Sequence, residues 1–338
     1  MRERRIRWAA LAAALAVLVA TGCGGGSSGG GGGGSSGGGK TFKIGLVTDI
    51  GGLNDRSFNH LAYVGLQRAE NELGVDGKVL QSNSNADYVP NLQQLAAQHY
   101  DLVIGVGFLM GDAVAKVAKA FPQTNFAIID FAYSPGIPNV QGLLFKEQDA
   151  GYLAGYLAGL VTKTNVVSTV GGQKIPPVDH YIAGFQAGAK ASNPNVTTLN
   201  DYSQSFTDQG KCKELALQQI GQKSDVVFQV AGGCGLGALA AAKEKGVWGI
   251  GVDADQAYLG SYILTSAVKK VDVAVYDTIK QVTDGTFKGG GVSFFDATNG
   301  GTGIGQVNSQ VPQADVAKLD KIASQLKAGS ITPPDTVK

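Results

Sequence analysis

The sequence predicts an α/β protein with two doubly wound parallel sheets, one after the other along the chain. Short runs rich in Val and Ile alternate with segments of helical periodicity, as in parallel sheets covered by helices on both faces. This rhythm occurs twice, with a join near residues 142–152. Polar residues follow several predicted strands, and open parallel sheets bind ligands outside these strand ends. We therefore expect two lobes with a ligand cleft between them.

The first set alternates predicted strands with helices. Its strands are KIGLV (43–47), KVL (78–80), DLVIGVG (101–107) and NFAIID (125–130), and its helices lie near 57–73, 88–98 and 110–120. The strand segments are short, apolar and bounded by turn residues, which is typical of buried parallel strands.

The second set repeats this order. Its strands are VVSTVG (166–171), VTTLNDY (196–202), DVVFQVAGG (225–233) and VWGIGVD (247–253), and its helices lie near 178–191, 208–221 and 235–245. After Asp253 the pattern changes to a strand and helix within 262–285, a strand at 290–296 and a terminal helix at 312–329. We find no close internal sequence repeat.

The first 39 residues predict export. A basic start and an apolar run of 13 residues, from Trp8 to Ala20, precede Thr21-Gly22-Cys23, and this apolar run is too short to span a bilayer. The pattern resembles a bacterial lipoprotein signal (1–22), which places a lipid on Cys23 and the mature protein on the outer face of the cell membrane. Ordinary secretory cleavage with a free Cys23 thiol is the alternative.

A glycine- and serine-only linker follows Cys23. Its 16 residues, 24–39, behave as a flexible coil that spans roughly 20–25 Å. Removal of the signal lowers Lys+Arg from 28 to 24 and Asp+Glu from 27 to 26, for a net charge near −2. Because no Lys/Arg-rich run remains, nucleic acid is not an expected partner.

Motifs typical of enzymes are missing from the sequence. There is no G-x-S-x-G elbow, no phosphate-binding P-loop and no His/Cys spacing suited to zinc, and the histidines number three: His60, His99 and His180. GGCGLG (232–237) follows a strand but lacks the G-x-G-x-x-G spacing of a dinucleotide loop. We therefore predict a protein without catalytic residues, metal or cofactor.

The stretch TDIGGLNDRSFN (48–59) is more polar than a strand-to-helix turn requires. Asn54 or Asp55 can cap the following helix, and the two glycines can form the turn. These roles leave Asp49, Phe58 and Asn59 unexplained. A carboxylate at a strand exit and a ring in the first helical turn can hold a flat ligand, although packing of Phe58 beneath the loop is the alternative.

Five segments in order carry a specific resemblance. TDIGGLNDRSFNHLAYVGL resembles the opening signature of the basic membrane protein or PnrA-like family, substrate-binding lipoproteins of ABC transporters, several of which bind purine nucleosides. The similarity extends to GFLMGDAVAKVAKAFPQTNFAIID (107–130), FKEQDAGYLAGYLAGL (145–160), AGGCGLGALAAAKEKGVWGIGVDADQ (231–256) and LTSAVKKVDVAVYD (264–277). It therefore covers nearly all of the mature chain.

The resemblance implies a type I periplasmic-binding-protein fold with a three-segment hinge. Lobe I would comprise 40–145 plus about 267–290, and lobe II 146–266 plus about 291–338. The implied function is a monomeric binding protein of an ABC importer, with permease and ATPase subunits as partners. A sensor that signals to a membrane partner and a receptor for a different small ligand remain alternatives. A nucleoside hydrolase would need a metal-binding Asp cluster or a positioned base, and neither is evident.

The resemblance also implies site residues. The base would meet Asp49, Phe58 and Asn59, and the ribose would meet Asp253 and Lys269. A second aromatic usually covers the other face of the base, and Phe228 is our candidate for it. Gly232 or Gly233 would allow the backbone to approach the sugar. The structural alternatives are a turn aspartate at Asp253 and a solvated lysine at Lys269.

One position departs from the family pattern and concerns the two remaining cysteines. The glycine loop more often has Thr where Cys234 stands, and this leaves the ligand open. Cys212 lies early in the helix predicted near 208–221 and Cys234 follows a predicted strand, so both are expected at one edge of the second sheet. In an exported protein these cysteines could form a disulfide or remain two buried thiols.

Overall fold

The structure is a computed structural model that describes residues 40–337. The predicted signal segment, Cys23 and the Gly/Ser segment 24–39 lie outside the described residues. Between residues 40 and 337, none of the helices combines the length and the apolar character needed to cross a membrane.

The first sheet has six parallel strands in the order β11-β5-β4-β3-β1-β2. Its elements are β1 Lys43–Val47, α1 Phe58–Leu73, β2 Asp76–Leu80, α2 Tyr88–Ala97, β3 Leu102–Gly105, α3 Gly111–Ala120, β4 Asn125–Ile129, β5 Val140–Phe145 and β11 Val292–Phe295. Helix α8, Val271–Thr283, covers it, since α8 residues share an apolar cluster with α1 and the β1, β3, β4 and β5 strands.

The second sheet has the order β12-β10-β9-β8-β6-β7. Its elements are α4 Glu147–Val161, β6 Val166–Gly171, α5 Pro176–Ser192, β7 Thr197–Tyr202, α6 Gln209–Gly221, β8 Val226–Val230, α7 Gly232–Lys245, β9 Trp248–Asp253, β10 Ile263–Lys269, β12 Thr302–Ile304 and α9 Gln313–Lys327. All pairings are parallel except β10 with β12, which is antiparallel.

Three short connections link the two sheets. The chain crosses from β5 to α4, from β10 to α8 and from β11 to β12. The first and third crossings are bonded together, because Lys146 lies 2.8 Å from Asp296 and donates its backbone N–H to Phe295. The structure therefore has the predicted fold of two α/β lobes joined by a three-segment hinge.

The strand at 292–295 differs from the expected division into lobes. We expected residues from about 291 onward to belong to the second lobe, but β11 pairs in parallel with β5 of the first sheet. Strands β5 and β12 and helix α4 were not among the predicted elements. The short segments β11 and β12 carry little periodicity of their own, so the sequence does not reveal their pairing.

Helices α4 and α5 lie in close backbone contact and set the position of the α5 side chains. A Cβ on Gly151 would collide with the Tyr181 carbonyl, and a Cβ on Gly155 would collide with the Phe185 carbonyl. Only glycine permits so close an approach. This contact brings Tyr181 toward the ends of β8 and β9.

Candidate functional site

A narrow cleft lies between the two sheets where the strands of both lobes end. Six strands contribute a residue at or just beyond their C-terminal end: Asp49, Gly107 and Asp130 from lobe I, and Val230, Asp253 and Lys269 from lobe II. The centre of a water molecule can occupy about 70 Å³ of this cleft. This is the location at which open parallel sheets bind ligands.

Aromatic side chains form the walls of the cleft. Phe58, in the first turn of α1, and Phe108 line it from lobe I. Tyr181 of α5 and Phe206, in the loop before α6, line it from lobe II. Rings on both sides of a narrow space can stack on the two faces of a flat ligand.

Asp49 has one carboxylate oxygen held by the protein and one available to the cleft. Its Oδ1 accepts hydrogen bonds from the Gly51 N–H and the Asn59 Nδ2, both at 2.8 Å. Its Oδ2 accepts no hydrogen bond from the described residues and lies beside Gly107 in the cleft wall. Burial raises the pKa of Asp49 to about 6. Ionised Asp49 therefore offers one unsatisfied acceptor to a ligand.

Asn59 lines the cleft but its amide is already engaged. Nδ2 donates to Asp49 at 2.8 Å and to Asp55 at 3.1 Å, while Oδ1 accepts from the Asp49 N–H at 3.2 Å. Both donor hydrogens are thus used within the protein. The geometry makes Asn59 the residue that orients Asp49.

Asp55 caps helix α1. Its carboxylate accepts from the backbone N–H groups of Ser57, Asn59 and His60 and from the Asn59 side chain. Four hydrogen bonds leave little capacity for a ligand. The structure therefore assigns the helix cap to Asp55, one of the two residues that the sequence suggested.

Asp253 occupies a strained position at the end of β9. Its φ of 59° lies in the left-handed region, which costs energy in a residue with a side chain. Oδ1 accepts from the Tyr181 hydroxyl at 3.0 Å and Oδ2 from the Ser57 hydroxyl at 2.7 Å. Burial raises its pKa. The carboxylate is thereby fixed in the cleft and not in a solvated turn.

Lys269 is buried in the cleft, at the end of β10 and beside the hinge. Its Nζ lies 2.7 Å from Asp130 and 2.8 Å from Glu147, and 5.1 Å from the centre of the Phe58 ring. Burial acts to lower the pKa of Lys269, but the two carboxylates raise it above its usual value. Lys269 is therefore a charged, oriented donor and not a solvated lysine at a helix start.

His180 extends this group of charges toward the surface. Its Nδ1 lies 3.1 Å from Glu147, whose other carboxylate oxygen meets Lys269. Burial acts to raise the pKa of Glu147, but Lys269 and His180 bring it below its usual value. Buried charges need such partners, and these contacts hold the Lys269 ammonium in place.

The two glycines of the loop after β8 have different positions. Gly232 lines the cleft with a φ of 54°. Gly233 is not among the cleft-lining residues, and a Cβ there would lie 3.8 Å from Asp55 Cα in the other lobe. Gly232 is thus placed to bring the backbone to a ligand, whereas a Cβ at Gly233 would make only ordinary van der Waals contacts with Phe206 and Asp55.

Phe228 does not line the cleft, so our candidate for the second aromatic was wrong. Its ring is fully buried in the core of lobe II, 5.2 Å from Phe185 and 6.1 Å from Tyr181. Phe228 precedes the end of β8 by two residues, roughly 7 Å back along the strand. Phe206 lines the cleft instead.

Sequence reasoning missed Phe206, Tyr181, Asp130 and Glu147. Phe206 follows β7 and Asp130 follows β4, so the rule on strand ends could have found both. Tyr181 and Glu147 lie on helices, where the sequence holds no such signal.

A disulfide joins Cys212 of α6 to Cys234 of α7, with Cα atoms 5.6 Å apart. The Cys234 N–H donates to the Phe206 carbonyl at 2.9 Å. The cross-link therefore ties the first turns of two helices beside the loop that carries Phe206.

Comparison with known proteins decides the family. Residues 42–336 match the model of the family Bmp, described as ABC transporter substrate-binding protein PnrA-like. This chain belongs to that family. Its members are substrate-binding proteins and not enzymes, and among the described residues no group of three or more His, Cys, Asp or Glu could hold a metal ion.

The chain is also similar to individual named relatives and to a solved structure. The chain is 36% identical to the ABC transporter nucleoside-binding protein BmpA of Lactococcus lactis, over 99% of both chains. It is 36% identical to an uncharacterized lipoprotein of Pyrococcus horikoshii, over 88% of this chain and 76% of that one. An ABC transporter solute-binding protein from Aeropyrum pernix superposes with a TM-score of 0.79 at 27% identity, covering 86% of this chain and 92% of that one.

Proposed function

We propose that this substrate-binding protein is a lipid-anchored receptor that captures a purine nucleoside for an ABC importer. One observation supports this ligand class: a single narrow cleft combines aromatic walls, the acceptor oxygen of Asp49 at one position, and the Asp253 carboxylate and Lys269 ammonium at another. A nucleoside has a flat base with a hydrogen-bonding edge and a sugar with hydroxyl groups. The printed name of the Lactococcus lactis relative supports the same ligand class.

Phe58, Phe206 and Asp49 would hold the base. The two rings line opposite lobes, and stacking on an aromatic ring contributes roughly 1–3 kcal/mol per base. The free Oδ2 of Asp49 would accept an N–H at the edge of the base. Because purines carry such donors, an acceptor here selects the base by its edge.

Asp253 and Lys269 would hold the ribose. An ionised carboxylate accepts hydrogen bonds from sugar hydroxyls, and the ammonium has a donor left beyond its two carboxylate partners. Hydrogen bonds to charged groups contribute roughly 1.5–3 kcal/mol. With two stacked rings, these bonds are sufficient for an affinity of about −8 kcal/mol, near 1 μM.

The ligand test is calorimetry with adenosine, guanosine and inosine and with their free bases. We expect at least one nucleoside to bind the wild type below about 100 μM. Asp253→Ala should weaken nucleoside binding about tenfold or more and free-base binding by a smaller factor, since a base has no ribose and loses only the contribution of Asp253 to lobe closure. If no nucleoside binds, or if Asp253→Ala weakens both ligand types equally, the nucleoside assignment is wrong.

The anchor and the partners follow from the N-terminus and the family. Lipidation of Cys23 would attach the linker 24–39 to the outer face of the membrane and leave the lobes free to reach a permease, which works with an ATPase. Mass spectrometry of the full-length product in membranes should show a mature N-terminus at Cys23 carrying acyl mass. A soluble product that begins elsewhere, without acyl mass, would contradict the anchor.

A further inference from the structure

Ser57 stands where a serine usually caps a helix, but it does not cap α1. It precedes Phe58, the first residue of α1, and makes no side-chain capping hydrogen bond. Asp55 satisfies the free N–H groups of the first turn instead. The Ser57 hydroxyl is therefore available for another contact.

That contact crosses to the other lobe. Ser57 Oγ lies 2.7 Å from Asp253 Oδ2 and 3.1 Å from the Val252 carbonyl, both at the end of β9. The Ser57 side chain is fully buried. A hydroxyl has one proton, so it is either donated to Asp253 or shared with Val252. Each arrangement links lobe I to lobe II through a buried contact.

A second bond supports the crossing one residue earlier. Gln256 Nε2 donates to the Arg56 carbonyl at 3.3 Å. The amide of Gln256 is fixed within lobe II, because its Oε1 accepts from Gln229 Nε2 at 3.0 Å and from the Val252 N–H at 3.2 Å. The lobe I backbone at 56–57 thus rests against a rigid part of lobe II.

We propose that Ser57 is a closure latch, which holds the two lobes together through its hydrogen bond to Asp253. The choice of nucleosides as ligands for the binding assay rests on the proposed function. The contact between the lobes is a feature of the structure and does not depend on that function. Ser57 is a positioning residue, since it would act on the ligand through the closed arrangement of the lobes and not by contact.

The latch predicts a particular pattern of affinities. A bond that exists only when the lobes are together stabilises the closed state, and measured affinity scales with the population of that state. Loss of the bond should therefore weaken every ligand by a similar factor, about 10- to 100-fold for a buried hydrogen bond to a carboxylate. A residue that touches one part of the ligand would instead discriminate between ligands.

The test compares Ser57→Ala with Ser168→Ala in the mature protein. Ser168 is a matched control, because its buried hydroxyl lies 2.8 Å from the Ser224 hydroxyl within lobe II and touches no lobe I group. Calorimetry with guanosine, inosine and guanine measures affinity, and hydrogen exchange with mass spectrometry measures opening of the peptides around 49–59 and 230–253.

We expect Ser57→Ala to weaken all three ligands by a similar factor and to speed exchange in the cleft peptides, while core peptides exchange as in wild type. Ser57→Thr, which keeps the hydroxyl, should restore part of the affinity. Unchanged cleft exchange, an effect no larger than that of Ser168→Ala, or a loss confined to one ligand would overturn the latch. Exchange is measured without ligand, so failure of wild type to bind nucleosides would remove the proposed function and leave this test in force.

Discussion

Acidification should weaken nucleoside binding through Asp49. Burial raises the pKa of this carboxyl to about 6, and its unpartnered Oδ2 is a strong acceptor for an N–H of a base when the group is ionised. A protonated Asp49 presents a donor or a weaker acceptor in place of a charged acceptor. Binding to the ionised form should therefore decline as the pH falls through 6.

The magnitude follows from the fraction of Asp49 that is ionised. With a pKa of about 6, roughly nine tenths of the groups are ionised at pH 7 and roughly one tenth at pH 5. If only the ionised form binds, affinity should fall about tenfold between these pH values, which is about 1.4 kcal/mol. Burial also raises the pKa of Asp253, so protonation of that carboxylate on further acidification would act in the same direction.

The measurement is calorimetry with inosine from pH 7.5 to pH 5 on the wild type and on Asp49→Asn. The amide does not titrate, so the variant should bind more weakly at pH 7 and lose the step near pH 6 attributed to Asp49. An identical pH profile in both proteins would refute the reasoning, as would a wild-type affinity that is flat or rises toward pH 5.

The effect of pH on fold stability through Asp49 has the opposite sign to its effect on binding. A loss of affinity caused by unfolding can therefore be distinguished from a loss caused by protonation of Asp49. A raised pKa means that the folded state favours protonated Asp49. The stabilising contribution of this group is full below its unfolded pKa near 3.8 and is lost as the pH rises through about 6. As the pH falls from 7 to 5, protonation of Asp49 should therefore raise the free energy of unfolding while it weakens nucleoside binding.

Three further substitutions test other parts of the site. Phe58→Ala should weaken the binding of nucleosides and of free bases alike, by roughly 1–3 kcal/mol in the binding free energy measured by calorimetry. An unchanged affinity would contradict stacking of the base on this ring. Lys269→Met should lower the free energy of unfolding by about 3–5 kcal/mol in urea titration, because it leaves the buried carboxylates of Asp130 and Glu147 without their cation. A loss below about 1 kcal/mol would mean that these ion pairs are not buried in solution. Replacing Cys212 and Cys234 by Ser should lower the free energy of unfolding by about 3 kcal/mol, because the disulfide closes a loop of 22 residues. Because the disulfide lies beside the loop that carries Phe206, the replacement should weaken nucleoside binding less in a Phe206→Ala background than in wild type. Two titratable thiols in the unfolded, unreduced protein, beyond any at Cys23, would show that no disulfide forms.

Local pattern alone was sufficient to predict the fold class and the polar residues that lie at several strand ends. The strands at 43–47 and 166–171 have the predicted bounds, because apolar β-branched runs of that length are strands in most contexts. Asp49 and Asp253 follow predicted strands and line the cleft. Position at a strand end is a property of the sequence, so it could be read without knowing which strands pair.

Tertiary structure decided what depends on contacts between distant segments. β11 joined the first sheet through pairing with β5, about 150 residues away in sequence, and the short strand alone carries no record of that partner. Lys269 acquired its charge partners only when Asp130 and Glu147 came within 3 Å.

The sequence by itself thus determined most of the strands and helices, the family motifs and the residue types at the strand ends. Only the tertiary structure decided that Phe206 and not Phe228 faces the cleft, and that Ser57 bonds across the lobes and not to its own helix. The physical reason is that periodicity specifies the direction of a side chain relative to its own element. Its depth in the sheet and its partners depend on how elements that lie far apart in the sequence pack together.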